Sequence, residues 1–281
     1  MAQAITAPEV APPRRRHPGS GRLTRVSGLG LGVAMIWFSL LVLIPLAAVV
    51  VTASEGGWSA FWTAVTNEQT AAAIKLTVGT ALAVTAVNII MGTVIAWLLV
   101  RDSFWGKGIL EVLIDLPFAL PTIVAGLVLL SLYGPKSPVG VDIANTRWAV
   151  FVAFLFVTLP FIVRTVQPVL EELDPEVEEA AASLGASRLT TFRRIVLPAL
   201  VPAIAAGAAL SFARAVSEYG SLVLLSGNLP FKTEVTSVRV LSSIENNNTE
   251  SAAAVATVLL VISFVVIVVL DVVQRKMTRR A

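Results

Sequence analysis

The sequence predicts an all-α polytopic membrane protein, and three observations support that fold class. Hydrophobic residues make up 56% of the chain and charged residues only 14%, whereas ordinary soluble domains contain about 25% charged residues. The apolar residues occur in long runs, and a helix of about 20 apolar residues can cross a bilayer. The loops between these runs are short, so 281 residues leave no room for a sizeable soluble domain. Any catalytic domain that works with this chain is therefore expected on another polypeptide.

Six apolar runs are long enough to be transmembrane helices. They lie at about residues 28–51, 72–100, 116–133, 149–169, 199–226 and 252–270. The first run exceeds the apolar segment of a secretory signal, which has about 7–15 residues, so we expect an uncleaved span. The six spans form a transmembrane domain over residues 28–273. A basic tail at 1–27, expected to be disordered, precedes it, and a basic tail at 274–281 follows.

Six spans place both termini on the same side of the membrane, and the distribution of Lys and Arg selects that side. Loops that face the cytoplasm carry an excess of these residues. The two tails and the loops at 101–108 and 171–198 contain 14 Lys and Arg residues, whereas the alternate loops contain four. We therefore predict a multi-pass protein with both termini in the cytoplasm and an outer loop at 227–250.

Polar residues in the second, third and fourth spans have simple structural explanations. Asn88 lies within the second span, where an amide commonly forms a hydrogen bond with a neighbouring helix. The third span opens with Asp115 and Pro117, which is typical of a helix start. Arg164 lies towards the cytoplasmic end of the fourth span, where a long side chain can reach the interface. We assign Arg164 no role in substrate binding.

The fifth span contains a polar stripe that is the candidate translocation pathway. Its residues are Ser211, Arg214, Ser217, Glu218 and Ser221. On a continuous helix, all but Ser217 fall within about 80° of one another. A charge at this depth costs about 2.5–3.5 kcal/mol on insertion scales, so such residues usually face a partner or a water-filled path. Two interpretations stay open: an Arg214–Glu218 pair that fixes helix packing, or a gate that lines the path of an anion.

The outer loop at 227–250 predicts one short amphipathic helix. Apolar residues recur at intervals of three, at Val235, Val238, Leu241 and Ile244, which is the spacing of a helix that lies on a surface. This helix either receives a soluble partner or covers the mouth of the helical bundle. The sequence favours neither alternative.

The cytoplasmic loop at 171–198 predicts a helical hairpin. Asp174 is a natural N-cap and Pro175 a natural first helical residue, and the acidic residues that follow suit the positive end of the helix dipole. Gly185 supplies the left-handed turn that ends a helix, and Ser187 can cap a second one. An apolar ridge at helical spacing runs along the first helix through Leu173, Val177, Ala180, Ala181 and Leu184.

This hairpin could lie flat in the headgroup layer or bind a partner outside the membrane. Six acidic residues lie between Glu171 and Glu179. The inner leaflet is anionic, so it attracts basic segments and repels acidic ones. We therefore predict that the hairpin is a docking element for another protein.

The hairpin reproduces the EAA motif of permease subunits of bacterial ABC importers. The matching positions are Glu179, Ala180, Ala181, Gly185, Ile195, Leu197 and Pro198. The chain also resembles the sulfate and thiosulfate permeases of this family in the segments 115–122, 214–220 and 232–235. The similarity extends over about residues 30–275. It implies a type I importer permease with the MetI-like fold, in the cytoplasmic membrane of a bacterium.

The resemblance also implies a set of partners. In the family, one permease pairs with a second, here CysW-like, permease. Two copies of a CysA-like ATPase bind ATP and Mg, and a periplasmic or lipid-anchored sulfate-binding protein completes the assembly. The EAA loop forms a coupling helix that sits in a groove of the ATPase, and we add Leu184 to its coupling residues. For this chain we expect membrane lipid around it, and no cofactor, metal, nucleic acid partner or active site of its own.

Two other functions are alternatives to a sulfate permease. A molybdate or tungstate permease shares the EAA loop and the Arg–Glu segment, but such permeases tend to have five spans and to lack the segment at 232–235. An intramembrane enzyme or an ion-driven transporter would need an acid dyad, a Ser–Lys pair or a membrane histidine. No such dyad or pair is evident in the spans, and the one histidine, His17, lies in the N-terminal tail, so this class is disfavoured.

Overall fold

A computed structural model describes residues 25–278, and every regular element within that range is helical. This confirms the predicted all-α class for the described chain, whereas the basic tail up to residue 24 lies outside it. The helices are α1 (Arg25–Phe38), α2 (Ile44–Glu55), α3 (Gly57–Thr66), α4 (Glu68–Arg101), α5 (Lys107–Ala119), α6 (Thr122–Tyr133), α7 (Arg147–Glu172), α8 (Pro175–Ser183), α9 (Arg188–Thr191), α10 (Leu197–Val216), α11 (Gly220–Leu225), α12 (Thr236–Glu245) and α13 (Thr249–Thr278). The π-helical segments Ser39–Leu43 and Phe192–Val196 join α1 to α2 and α9 to α10.

Five helical stretches in the described chain are long and apolar enough to cross a membrane. They are Ser27–Glu55, Glu68–Arg101, Arg147–Glu172, Arg188–Val216 and Thr249–Lys276. The chain forms two units that divide between Ala47 and Ala48. In the first unit the described residues belong to α1, the π-helical segment after it and the start of α2. The second unit contains the other four long helices, and α13 continues beyond the predicted domain end at residue 273.

Three long helices, α4, α7 and α10, pack on one another at the centre of the second unit. Helix association in lipid depends on close packing and interhelical hydrogen bonds. A Cβ atom added at Gly92 of α4 would lie 2.7 Å from the Cβ atom of Ile162 in α7, so the glycine permits the close approach. Asn88 Nδ2 donates to Thr158 Oγ1 at 2.8 Å between the same helices. This confirms the predicted interhelical role of Asn88.

The predicted third span at 116–133 is interrupted. Helix α5 continues through Pro117, and α6 begins only after Pro121. Leu120 between them is extended, with φ −85° and ψ 135°, as a residue before proline usually is. The 12 residues of α6 reach about 18 Å, short of the hydrocarbon thickness of about 30 Å. The predicted helix start at Asp115 is therefore wrong, because that residue lies inside α5.

Asp115 instead pairs with Arg164 of α7. Arg164 Nε donates to Asp115 Oδ1 at 2.7 Å, and Nη2 donates to the other carboxylate oxygen. The Nη1 group donates to Gln167 Oε1 at 2.7 Å. The sequence predicted that the Arg164 side chain reaches the membrane interface, but it did not predict the pair with Asp115. A forked arginine–carboxylate pair fixes geometry as well as charge, so it orients α5 on α7.

The predicted fifth span at 199–226 is also interrupted. Helix α10 ends at Val216, and α11 begins at Gly220. A Cβ atom added at Gly220 would lie 2.1 Å from Thr122 Oγ1 and 3.0 Å from the backbone nitrogen of Ile123. The prediction of one continuous helix is wrong here, because the chain turns to pack α11 against the start of α6.

The loop at 227–250 contains the predicted helix as α12, and the first turn of this helix is tied into the bundle. Thr236 N donates to Thr77 Oγ1 of α4 at 2.8 Å. Val235 and Val238 are buried, whereas Ile244 at the far end is 48% exposed. The amphipathic helix is therefore confirmed, and its apolar face packs on α4 and α13.

Candidate functional site

The first helix of the hairpin, α8, begins as the sequence predicts. Asp174 is extended and its Oδ1 atom accepts a hydrogen bond from Glu176 N at 2.9 Å. Pro175 is the first helical residue, where its missing N–H group leaves no hydrogen bond unmade. Glu176 and Glu178 lie in the first turn, beside the positive end of the helix dipole. The start of the hairpin is thus determined by residues within four positions of one another.

The turn of the hairpin is a Schellman motif centred on Gly185. Gly185 has φ +83°, a conformation that glycine adopts without steric cost. Its N–H group donates to the carbonyl of Ala182 at 2.9 Å, and Ala186 N donates to the carbonyl of Ala181 at 3.0 Å. These two bonds satisfy the last carbonyl groups of α8. The predicted helix stop at Gly185 is confirmed.

The second half of the hairpin continues directly into the membrane. Ser187 Oγ accepts from Thr190 N at 3.3 Å and caps α9. The helical stretch then runs without a break from Arg188 to Val216. The motif positions Ile195, Leu197 and Pro198 lie on this stretch and are half-buried. The EAA motif therefore divides between α8 with its turn and the start of the long helical stretch.

The hairpin presents large apolar side chains to solvent. Leu184 is 89% exposed, Leu189 58% and Val177 47%. Glu179 and Ala180 are also exposed, and Ala181 is half-buried. Several large apolar side chains exposed on one short hairpin are typical of a protein interaction site. The residues predicted to couple to a partner are thus accessible on α8 and at its turn.

One contact of the hairpin was missed by the sequence analysis. Arg101, the last residue of α4, forms an ion pair with Glu178 of α8. The Arg101 guanidinium also lies 5.6 Å from the ring centroid of Trp97, and Trp97 contacts Phe192 edge-to-face at 5.7 Å. The sequence did contain a signal for this ion pair, because the basic Arg101 ends a predicted span and the loop at 171–198 is rich in acidic residues. These contacts fasten the hairpin to α4.

A second polar region lies at the break between α10 and α11. Arg214 Nη1 lies 2.7 Å from Glu218 Oε2, which confirms the predicted ion pair. The other carboxylate oxygen accepts from Ser221 N at 2.9 Å and from Ser221 Oγ at 2.8 Å. The Glu218 side chain is fully buried, whereas the Arg214 side chain is 28% exposed. A buried carboxylate without such partners would be strongly unfavourable, so these contacts hold the break in place.

The candidate pathway residues fall into a buried group and an exposed group. Ser211, Glu218 and Ser221 are buried, whereas Ser217 is exposed and Arg214 is partly exposed. The backbone carbonyl of Glu218 accepts a hydrogen bond from Ser237 Oγ at 2.7 Å, which ties the break to α12. The assignment of this region to a translocation path stays a prediction.

The side chains of these two regions are suited to binding charged and apolar partners. The hairpin combines apolar side chains with carboxylates, and the break combines a partly exposed guanidinium with an exposed hydroxyl group. Within residues 25–278, no group of three or more His, Asp or Glu side chains could hold a metal ion. Both regions are thus suited to holding charged or amphipathic partners.

Comparison with known proteins shows close relatives of this chain. The sulfate transport system permease protein CysT of Salmonella typhimurium is 45% identical over 224 residues, which cover 77% of this chain and 81% of the relative. The CysT protein of Escherichia coli K12 is 43% identical with the same coverage. CysT of Synechocystis is 46% identical over 220 residues, which cover 76% of this chain and 77% of that protein.

The fold is shared with solved transporter structures. A bacterial ABC transporter involved in the import of the polysaccharide alginate superposes with a TM-score of 0.73 at 18% identity, over 90% of this chain and 96% of the other. The predicted permease fold is therefore confirmed. Residues 88–280 also match the family model described as the inner membrane component of binding-protein-dependent transport systems. This chain belongs to that family of inner membrane transport components.

Proposed function

We propose that this chain is the permease subunit of an ATP-driven importer of sulfate and thiosulfate. The observation that carries the proposal is the exposed apolar surface of the hairpin, centred on Leu184, in a chain whose relatives are named sulfate transport permeases. An accessible apolar surface on a membrane protein's loop needs a partner. In this family of transport components the fitting partner is an ATPase subunit.

The hairpin couples that ATPase to the membrane helices. Two copies of a CysA-like ATPase serve the complex, one on this hairpin and one on a second, CysW-like permease. The helical stretch from Arg188 to Val216 is unbroken, so a displacement at the hairpin acts on Arg214 through about 39 Å of continuous helix. Such a lever biases a helical bundle between two packed arrangements. A sulfate-binding protein delivers the substrate on the opposite side.

Arg214 and Ser217 contact the anion as it passes the break. Glu218 neutralises Arg214, and this reduces the attraction of the guanidinium for a dianion. A conducting site must bind its ion strongly enough to admit it and weakly enough to release it. A guanidinium has five N–H donors, so Arg214 can keep its bond to Glu218 while it donates to an oxyanion.

The hairpin and both termini face the cytoplasm in this proposal, and α12 faces the outside. The 14 Lys and Arg residues in the tails and the two inner loops, against four in the outer loops, support this orientation. It places the ATP-binding partner where ATP is available. It also leaves α12, tied to the break through Ser237, on the side of the binding protein.

Competition of labelled sulfate uptake tests the substrate. In cells whose sulfate uptake depends on this chain, excess thiosulfate is expected to suppress uptake to the level of cells without the chain. Molybdate and tungstate at the same concentration are expected to leave most of the sulfate uptake unaffected. Equal or stronger competition by molybdate would instead assign the chain to a different oxyanion importer.

A further inference from the structure

A groove of about 780 Å³ runs along α4 and α7 on the predicted outer side, away from the two regions described above. At one end it is lined by Lys75, Arg147 and Trp148. Further along α4, its floor consists of Gly79 and Ala83. The groove therefore combines a cationic end with an apolar trough.

Lys75 has no hydrogen-bond or ion-pair partner among the described residues, and its side chain is exposed. Arg147 uses its Nε group to donate to the carbonyl of Lys232 at 3.2 Å, which leaves its Nη groups available. Glu68 also lines the groove, at the first residue of α4. The cationic end thus has one net positive charge and an unused ammonium group.

The cations lie at the depth of lipid headgroups. Trp97 marks the predicted inner interface of α4, and Lys75 lies about 33 Å from it along the helix, about one hydrocarbon thickness. Trp148 at the start of α7 is 66% exposed, as expected for an aromatic residue at the outer interface. Gly79 and Ala83 lie one and two turns deeper, at the depth of acyl chains.

The groove faces away from the packed side of α4. Thr77 contacts Thr236 of α12, and Lys75 and Gly79 each lie about 200° around the helix from Thr77. A Cβ atom added at Gly79 would meet nothing within 4 Å. The trough is therefore open space on the surface of this subunit.

We propose that this groove binds a phospholipid of the outer leaflet. Its phosphate lies between Lys75 and Arg147, and an acyl chain lies over Gly79 and Ala83. A lysine at headgroup depth without a protein partner is free to attract the negative charge of a lipid phosphate. A free anion would leave the apolar trough empty, and an apolar helix of another subunit would leave Lys75 unpaired.

Native mass spectrometry of the full-length chain, purified with its companion subunits, tests the charged end. Phosphatidylglycerol and diacylglycerol with the same acyl chains isolate the contribution of the phosphate. We expect phosphatidylglycerol to be retained, and Lys75→Gln to weaken its binding about fivefold, the effect of one cation near an anionic lipid. The control Lys136→Gln removes an exposed lysine outside the groove and should leave binding unchanged. Equal binding by the two variants would overturn the proposal.

The apolar trough is tested by Gly79→Leu, which fills it. This variant should lose phosphatidylglycerol, whereas Gly108→Leu, at a glycine that also has open space around it, should retain it. Inorganic phosphate should not displace the lipid, and displacement at millimolar concentration would identify a free-anion site and overturn the proposal. Failure of the complete complex to retain phosphatidylglycerol would likewise overturn the proposal. Unchanged melting temperatures verify that the variants are folded.

Discussion

The hairpin and the break between α10 and α11 are both interruptions of helical structure, but they are held in different ways. At the hairpin, the stabilising groups lie within five residues of one another, as in the bonds from Gly185 and Ala186 to the end of α8. At the break, the local bonds to the Glu218 carboxylate are joined by contacts from distant segments: Gly220 packs against Thr122, and Ser237 donates to the carbonyl of Glu218. The first is encoded locally and the second by the assembled bundle.

The membrane explains this difference. Water can satisfy the backbone groups of an exposed turn, so a cap and a glycine suffice to end a helix. Irregular backbone at membrane depth is tolerated only where protein or a water-filled cavity surrounds it. A break within a span therefore depends on partners that the neighbouring residues do not supply. Variants at the two interruptions test this contrast.

The largest effect is expected for Arg214→Ala. The substitution leaves the fully buried Glu218 carboxylate without its counter-charge, and removal of one partner of a buried pair costs about 3–5 kcal/mol. We expect a large loss of stability of the purified complex in thermal unfolding, together with loss of sulfate uptake. An unchanged melting temperature would show that Glu218 does not depend on Arg214.

The double variant Arg214→Ala, Glu218→Gln separates packing from transport. It removes both charges, so most of the stability should return. If Arg214 contacts the anion, uptake should remain low although the complex is folded. Recovery of uptake along with stability would restrict the pair to a packing role.

The contact between α6 and α11 is probed by Gly126→Ala. A Cβ atom at this position would lie 2.6 Å from the carbonyl oxygen and 2.8 Å from the Cα atom of Ser221, and backbone cannot move aside as a flexible side chain can. We expect a destabilisation of about 1–3 kcal/mol, measured by thermal unfolding in detergent. The control Gly79→Ala adds the same methyl group to a membrane helix in open space and should be neutral or slightly stabilising.

These contrasts also explain how much could be predicted from sequence. The caps and the turn of the hairpin were predicted because Asp174, Gly185 and Ser187 each act on residues within five positions. The ion pair of the hairpin with the distant Arg101 was missed. The Arg214–Glu218 pair was predicted from its spacing of four, although the helix around it ends. The breaks themselves were missed. An apolar run does not reveal whether it is one helix or two, and the packing of Gly220 against α6 becomes visible only in three dimensions.

A smaller effect on stability, but a specific one on coupling, is expected for Gly185→Val. Valine at φ +83° is strained by about 1–2 kcal/mol, and the turn of the hairpin must distort. We expect ATP hydrolysis by the complex to continue while sulfate uptake falls. Both rates are measured in proteoliposomes.

Gly106→Val is the matched control for that variant. Gly106 also has a left-handed conformation, with φ +90°, and open space around it, but it lies in the loop before α5 and not in the hairpin. It should show a similar loss of stability with hydrolysis and uptake still coupled. Uncoupling in both variants would attribute the effect to strain on the predicted inner side in general.

The smallest effect is expected at the ion pair that fastens the hairpin to α4. The Arg101 and Glu178 side chains are 23% and 25% exposed, so the pair is expected to contribute about 1 kcal/mol or less. A double-mutant cycle with Arg101→Gln and Glu178→Gln measures this coupling energy by thermal unfolding. If the motion of the hairpin also reaches the membrane helices through α4, either single variant should lower the uptake per ATP hydrolysed. The charge-reversed pair Arg101→Glu, Glu178→Arg should then restore part of the lost uptake. Normal uptake per ATP in all variants would show that coupling does not need the contact with α4. The motion of the hairpin would then reach the membrane helices through α9 and α10 alone, and the locally encoded caps and turn of the hairpin would be sufficient for its function.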